Sequence, residues 1–338
     1  MGISRRAFIA TLAAPAVFGL SAKARAAVRV FKISHQFPAS NGETGDFRDR
    51  MCRRFATAVE SKTNGEIKFE FYPSSSLVKT FSQFDALKRG ALDFALVPTT
   101  YAGGLIPEMN LTFMPAIVTS YEQAYRWKSK PIGEELDNLL SANGVKLITW
   151  LWESGGIASR GRQIVAPSTL EGLKIRGGSR EMDMMFKAGG AATQNMPSNE
   201  IYISMQTGSI GACATSSTSL ISFRINELSK YLLAPGTRSF FFVFEPILMS
   251  KQIFEGLPKQ HQDAILAAGQ EQEEFGRKCS VEDDEILSDV YRKSGATVSL
   301  LDDTNLAPWQ DLARASSWKD FAARSANCDR LLKLAEQA

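Results

Sequence analysis

From about residue 28 onward, short apolar runs alternate with segments in which apolar residues recur at helical spacing. This is the strand-helix alternation of an open, largely parallel sheet covered by helices, so the expected fold class is α/β. Val28–Ser34 predicts a first strand. Phe47, Met51, Phe55 and Val59 then fall four apart on one helix face, which Gly65 ends. Glu66–Phe71 alternates strictly and predicts a half-buried strand stopped by Pro73. A helix through Phe84 and Leu87 stops at Gly90, and Leu92–Val97 predicts the next strand.

Val145–Trp152 predicts another strand, after which Gly155-Gly156, Gly161 and Pro167 punctuate a crossing into a second unit. That unit holds Leu173–Arg176, a helix with Met182, Met185 and Phe186, and the run Ile210–Ala214. Ser239–Met249 predicts a strand returning to the first unit. A helical region from about Ser250 to Lys293, interrupted near Gly276, then spans both. A chain that leaves one lobe, builds a second and returns makes two α/β lobes on a hinge, with a cleft that closes on small molecules. The expected boundaries are lobe I over 27–152 plus about 239–278, and lobe II over 153–238 plus about 279–338.

The N-terminus changes the charge picture. Ser4-Arg5-Arg6-Ala7-Phe8-Ile9, the uncharged stretch Thr11–Ala22 and the small-residue pattern Ala24-Arg25-Ala26 predict a cleavable twin-arginine export signal over residues 1–26. Its apolar core is shorter than the roughly 20 residues that span a bilayer, and no later run reaches that length. The mature chain is therefore expected to carry no membrane span. Removing Arg5, Arg6, Lys23 and Arg25, with no acid among them, takes the formal charge from +3 to −1. Such a surface lacks the clustered cations that neutralise phosphates, which sets nucleic acid aside as a partner. The four cysteines, Cys52, Cys213, Cys279 and Cys328, form no CxxC pair. They argue against a zinc site and a disulfide framework, leaving one distant disulfide open.

Five motifs follow one another along the chain: Gly65-Glu66-Ile67 leading to Tyr72-Pro73; Ala86-Leu87-Lys88-Arg89-Gly90-Ala91-Leu92-Asp93-Phe94; Met114-Pro115-Ala116; Leu170-Glu171-Gly172-Leu173-Lys174-Ile175-Arg176; and Glu200-Ile201-Tyr202 through Met205-Gln206-Thr207-Gly208. In this order, behind an export signal, they resemble the organic-acid-binding subunits of TRAP (tripartite ATP-independent periplasmic) transporters over nearly all of the mature length. The resemblance implies a monomeric, two-lobed receptor of the Venus-flytrap type in the periplasm. It implies capture of a small organic carboxylate and delivery to membrane permease subunits; no cofactor, metal ligand or catalytic residue is assigned in this chain, and a metal bridging the ligand is left open.

Arg176 lies where the family's carboxylate-binding arginine lies, and a planar guanidinium offers two parallel N–H groups that match a carboxylate. Its alternative is a structural pairing with Glu171 or Glu200. The position of the family's second ligand arginine falls here at Gly156, and Arg160 and Arg162 are the remaining cations on the crossing segment. Where many members carry an acidic contact, this chain reads Gly211-Ala212-Cys213-Ala214-Thr215-Ser216, so Thr215 and Ser216 are candidate neutral contacts or, equally, turn and helix-cap residues. Ser198 and Asn199, ahead of a predicted helix, have the same two roles. In the first lobe the aligned contacts fall near Gln36, Phe37, Thr99 and Tyr101. Trp150 is expected in the core and Trp152, at a strand end, in the pocket wall. One cation, several hydroxyls and aromatic walls suit a monocarboxylate, aromatic or with a 2-oxo or 2-hydroxy group.

An enzyme needs a nucleophile with a base, a metal cluster or a phosphate cradle. No GxSxG, Walker A, GxGxxG or HExxH occurs, and only His35 and His261 are present. Ser316-Ser317-Trp318-Lys319 is an SxxK of the kind chance supplies, and Glu271–Glu274 and Glu282–Glu285 predict solvated helix faces. The alternatives kept open are a periplasmic sensor subunit of the same fold and, behind it, a hydrolase.

Overall fold

The computed structural model describes residues 28–338, so the export signal expected over 1–26 lies outside the described residues. Its strands are β1 (Arg29–His35), β2 (Ile67–Tyr72), β3 (Phe94–Leu96), β4 (Val145–Leu147), β5 (Trp152–Ser159), β6 (Lys174–Arg176), β7 (Ala192–Thr193), β8 (Ala212–Ser216), β9 (Tyr231–Pro235), β10 (Phe242–Phe244), β11 (Ile247–Ser250) and β12 (Thr297–Leu301). They build two sheets, one per lobe. The first runs β2-β1-β3-β11-β4; the second runs β12-β9-β5-β8-β6-β7, with β10 also paired to β5.

In the first lobe, β1 pairs in parallel with β2 and β3. The helix Phe47–Lys62 begins at Asp46, whose carboxylate accepts the Arg48 N–H, and it buries Phe47, Met51, Phe55 and Val59 against the sheet. Phe55 and Phe31 meet Phe94 with ring centroids 5.5 Å apart, in the tilted and edge-on geometries aromatic pairs favour. On β2, Ile67 is buried while Lys68 and Glu70 face outward, the alternation of an edge strand.

Four elements differ from the sequence reading. Val145–Trp152 is not one strand: β4 ends at Leu147, and Trp152 opens β5 in the other sheet. Ser239–Met249 is likewise two strands, β10 on the second sheet and β11 on the first, parted at Glu245-Pro246. Pro246 has no N–H to continue a ladder, so the chain changes sheets there. Gly155 and Gly156 are not a turn but the middle of β5. A Cβ on Gly155 would lie 2.1 Å from the Thr215 carbonyl oxygen, and one on Gly156 would lie 2.2 Å from that of Leu233. Glycine is required because β8 and β9 approach closely on either side.

The fourth difference is the long helix. A short helix, Lys251–Glu255, is followed by an unbroken one, Lys259–Lys293, and Gly276 does not interrupt it. Gly276 is a contact point: a Cβ there would meet Leu151 at 2.9 Å and Met51 at 3.0 Å. Near its start this helix buries Ile265 and Ala268 in the first lobe, and near its end Leu287 and Tyr291 in the second. No described helix is long and apolar enough to cross a membrane. All four cysteines are free and buried.

Candidate functional site

The carboxyl end of β6 carries Arg176, 1 % exposed, at the boundary between the lobes. Its Nε donates to the Met196 carbonyl (3.0 Å), Nη1 to the Ala214 carbonyl (2.7 Å) and Nη2 to the Tyr101 hydroxyl (3.1 Å). None of these acceptors is a carboxylate, so the pairing with Glu171 or Glu200 does not form. A guanidinium has five N–H groups, which leaves one on each terminal nitrogen. The Tyr101 oxygen also accepts the Ser198 N–H at 3.2 Å, so a first-lobe phenol spans two second-lobe donors. Thr80 makes a second crossing, its hydroxyl 3.4 Å from the Asn199 side-chain oxygen. The nearby Asp183 carboxylate accepts the Gly177 N–H instead of pairing with Arg176. Burial pushes its pKa up to about 6, against the pull of Arg176.

Of the other candidates, Gln36 and Ser198 fit a polar site. Gln36 follows β1, whose register sets His35 opposite Leu96 of β3, at the carboxyl edge where open α/β sheets bind ligands. Both polar atoms of its buried side chain lack a protein partner, as does the buried Ser198 hydroxyl. Buried polar groups are normally satisfied, so these atoms call for partners that the described residues do not supply. Thr99 is buried and shares a 2.7 Å hydrogen bond with Thr112. Thr215 is buried at the end of β8.

Phe37, Trp152 and Ser216 are committed elsewhere. Phe37 lies under the Arg48 guanidinium, 3.5 Å from ring centroid to Cζ, and stacks on His35. Trp152 sits in an aromatic cluster with Trp127, Trp150 and Phe244, which is core rather than pocket wall. Ser216 caps the helix Ser217–Ser222 by accepting the Ser219 N–H, and also accepts from Arg48 at 3.3 Å. Arg160 and Arg162 bond the Met205 and Glu171 carbonyls. The absence of a second arginine at Gly156 has a steric cause, since β9 leaves no room there for a side chain.

The residue that sequence reading missed is Arg48. It is wholly buried at the start of the helix Phe47–Lys62 and forks onto Asp46 through Nε (2.9 Å) and Nη2 (2.7 Å). Its Nη1 reaches Glu245 at 3.0 Å, Glu153 at 3.4 Å and the hydroxyls of Ser219 and Ser216 at 3.0 and 3.3 Å. One cation thus joins the first lobe, both crossing segments and a helix of the second lobe. Burial opposes the Arg48 charge, but the three carboxylates outweigh it and hold its pKa above the ordinary value. Burial, with Glu245 adding to it against Arg48, pushes Glu153 well above the ordinary carboxylate range. The only hint in the sequence is that Arg48 heads the same four-residue spacing as Cys52 and Ala56, both buried.

The acids of the long helix also depart from the solvated face expected. Glu282 and Glu285 are exposed, but Asp283 and Asp284 turn toward the hinge, where the Ser154 hydroxyl donates to Asp284. Burial pushes both aspartates up to about 6.

Two constellations bear on catalysis. His35 Nε2 lies 3.0 Å from Asp49, and Ser40 donates to the same carboxylate rather than to the imidazole. A hydrolytic triad needs the serine on the histidine, so this arrangement supplies no activated nucleophile. In the SxxK segment, the Ser316 and Ser317 hydroxyls donate to the Leu312 and Glu181 carbonyls.

Comparison with known proteins agrees with this architecture. The sequence model of DctP, bacterial extracellular solute-binding protein, family 7, matches residues 43–325. A solute-binding protein of Albidiferax ferrireducens is 51% identical over 306 residues, covering 90% of each chain. The crystal structure of a TRAP periplasmic solute binding protein from Rhodoferax ferrireducens, with bound malonate, superposes with a TM-score of 0.89 at 51% identity, covering 91% of this chain and 97% of that one. The 2,3-diketo-L-gulonate-binding periplasmic protein YiaO of Escherichia coli is 26% identical, covering 86% of this chain and 85% of its own. The chain therefore belongs to family 7 of the bacterial extracellular solute-binding proteins, the DctP family of TRAP transporter solute-binding proteins.

Proposed function

We propose that this protein is exported to the periplasm, captures a small organic carboxylate between its lobes with Arg176 as the anchoring cation, and passes it to a membrane permease. The observation that carries the reading is the state of Arg176. It is buried at the lobe boundary, bonded only to neutral oxygens, with a donor left on each terminal nitrogen. A buried cation in direct contact with no carboxylate is costly, and a carboxylate on its two remaining N–H groups offsets that cost with a charge-assisted pair. Gln36 and the Ser198 hydroxyl supply partners for a second polar group. First-lobe contacts made only on closing, Tyr101 among them, shift the population toward the closed form when ligand is present.

The occupant we infer is short and carries a second oxygen-bearing group, such as a small diacid or a 2-oxo or 2-hydroxy acid. An aromatic body is disfavoured because Phe37 and Trp152 are taken up in packing. The relative from Rhodoferax ferrireducens, which holds malonate, supports the same size class.

A thermal-shift screen of residues 27–338 against malonate, succinate, lactate, pyruvate, benzoate and glucuronate tests this. Ligand at a hundredfold over its Kd stabilises the native state by about 2.7 kcal/mol, enough to raise the melting temperature visibly. A rise with malonate, succinate, lactate or pyruvate is expected. No rise with any acid, or a rise with glucuronate alone, contradicts the proposal.

A further inference from the structure

Beside Arg176, but not lined by it, lies a cavity of about 740 Å³ between the lobes, bounded by Phe81, Tyr101 and Gly104 on one side and Gly178, Asp183 and Lys187 on the other. Two residues separate it from the guanidinium. One is Tyr101, which lines the cavity while its hydroxyl is held by Arg176 and by the Ser198 N–H. The other is Gly178, at φ +94°, where a Cβ would come 2.5 Å from Arg176 Nη1 and 2.9 Å from Phe113. Bare backbone is the only fit there. Phe81 packs edge-on against the Tyr101 ring with centroids 5.0 Å apart, so the ring is held from its outer face as well as by its hydroxyl.

Resting on the reading of Arg176 as the carboxylate anchor, we propose that the Tyr101 ring is the wall that sets how long an acid this protein accepts, and that the cavity beyond it receives longer acids once the wall is shortened. The chamber is chemically suited to one class of longer acid. Arg180 and Arg324 are tied to Asp320 and Glu181, whereas Lys187 makes no ion pair among the described residues. A diacid that passes the wall can hold one carboxylate on Arg176 and reach toward Lys187 with the other.

The wall and the hydroxyl are separable. Tyr101→Phe keeps the ring and removes one donor, weakening all acids together and leaving their relative order alone. Tyr101→Ala removes the ring; Tyr101→Leu shortens it while keeping apolar contact with Phe81, and serves if the alanine variant folds poorly.

The experiment is calorimetric titration of the exported chain with malonate, succinate, glutarate and adipate, for wild type and the three variants. For wild type, affinity should fall along the series. In Tyr101→Ala or Tyr101→Leu the malonate-to-adipate affinity ratio should drop at least about tenfold, a change of about 1.4 kcal/mol. Tyr101→Phe should leave that ratio within about twofold. A uniform loss across the series in the alanine and leucine variants would overturn the proposal, as would an equal change of ratio in the phenylalanine variant. Arg176→Ala is the control for the underlying reading. If wild type and Arg176→Ala bind the acids equally, the anchor assignment fails, whereas an unchanged length profile with Arg176 still required removes the wall alone.

Discussion

Two arginines, Arg48 and Arg176, are among the largest wholly buried side chains in this protein, and their surroundings are opposite. Arg48 is saturated, with three carboxylates and two hydroxyls about it. Arg176 meets only neutral oxygens. The first arrangement is that of a structural clasp, and the second is the basis for the anion-binding role proposed for Arg176. Replacing Arg48 with Met leaves Asp46, Glu153 and Glu245 buried without their cation, and breaking such a cluster from one side costs about 3–5 kcal/mol. Urea denaturation of Arg48→Met should show a loss of that size at neutral pH. A variant as stable as wild type would mean that Arg48 does not neutralise this cluster. Arg176 was singled out in the sequence because its motif is local. Arg48 was not, because its partners Glu153, Ser216, Ser219 and Glu245 lie 105 to 197 positions away.

At the scale of elements, the helix Phe47–Lys62 and the strand β2 could be read directly, since burial on one face imposes its period on the residues. The crossing segments could not. Gly155 and Gly156 look like a turn in the sequence, and only the approach of β8 and β9, strands distant in the chain, makes them the middle of a strand. Gly155→Ala would force β5 and β8 apart at a backbone oxygen, a form of overpacking that costs about 1–3 kcal/mol. Chemical denaturation should register that loss, and full stability in the variant would contradict the close approach. Gly276 reads as a helix break for the same reason, although its real constraint is the contact with Leu151 and Met51.

The long helix Lys259–Lys293 ties both lobes together, and its buried acids give the element a pH signature. Asp284 has its pKa raised by burial to about 6, from an ordinary value of 3.8. Between those values the folded state binds more protons than the unfolded state, so this group's contribution is fully present below about pH 4 and is lost as pH rises through 6. Asp284→Asn mimics the protonated form. Melting curves from pH 4 to 7 should show a flatter decline of stability with pH in the variant than in wild type. A slope equal to wild type would mean that Asp284 is not protonated in the native protein.

For the whole molecule, two sheets are joined by crossings at 148–151 and 245–246 and by one long helix, and Tyr101 and Thr80 make contacts from one lobe to the other. On the proposed reading the fold turns a local charge into a whole-molecule event, because an anion on Arg176 would sit where the lobes meet. Removing one partner of a buried, charge-assisted pair costs about 2–5 kcal/mol, or roughly thirtyfold or more in affinity. The most direct measurement is calorimetric titration of malonate into wild type and Arg176→Ala, with circular dichroism confirming that both are folded. Heat from wild type at a one-to-one ratio and none from the folded variant at the same concentrations is the predicted result; equal affinity in the two would contradict the central role given to Arg176.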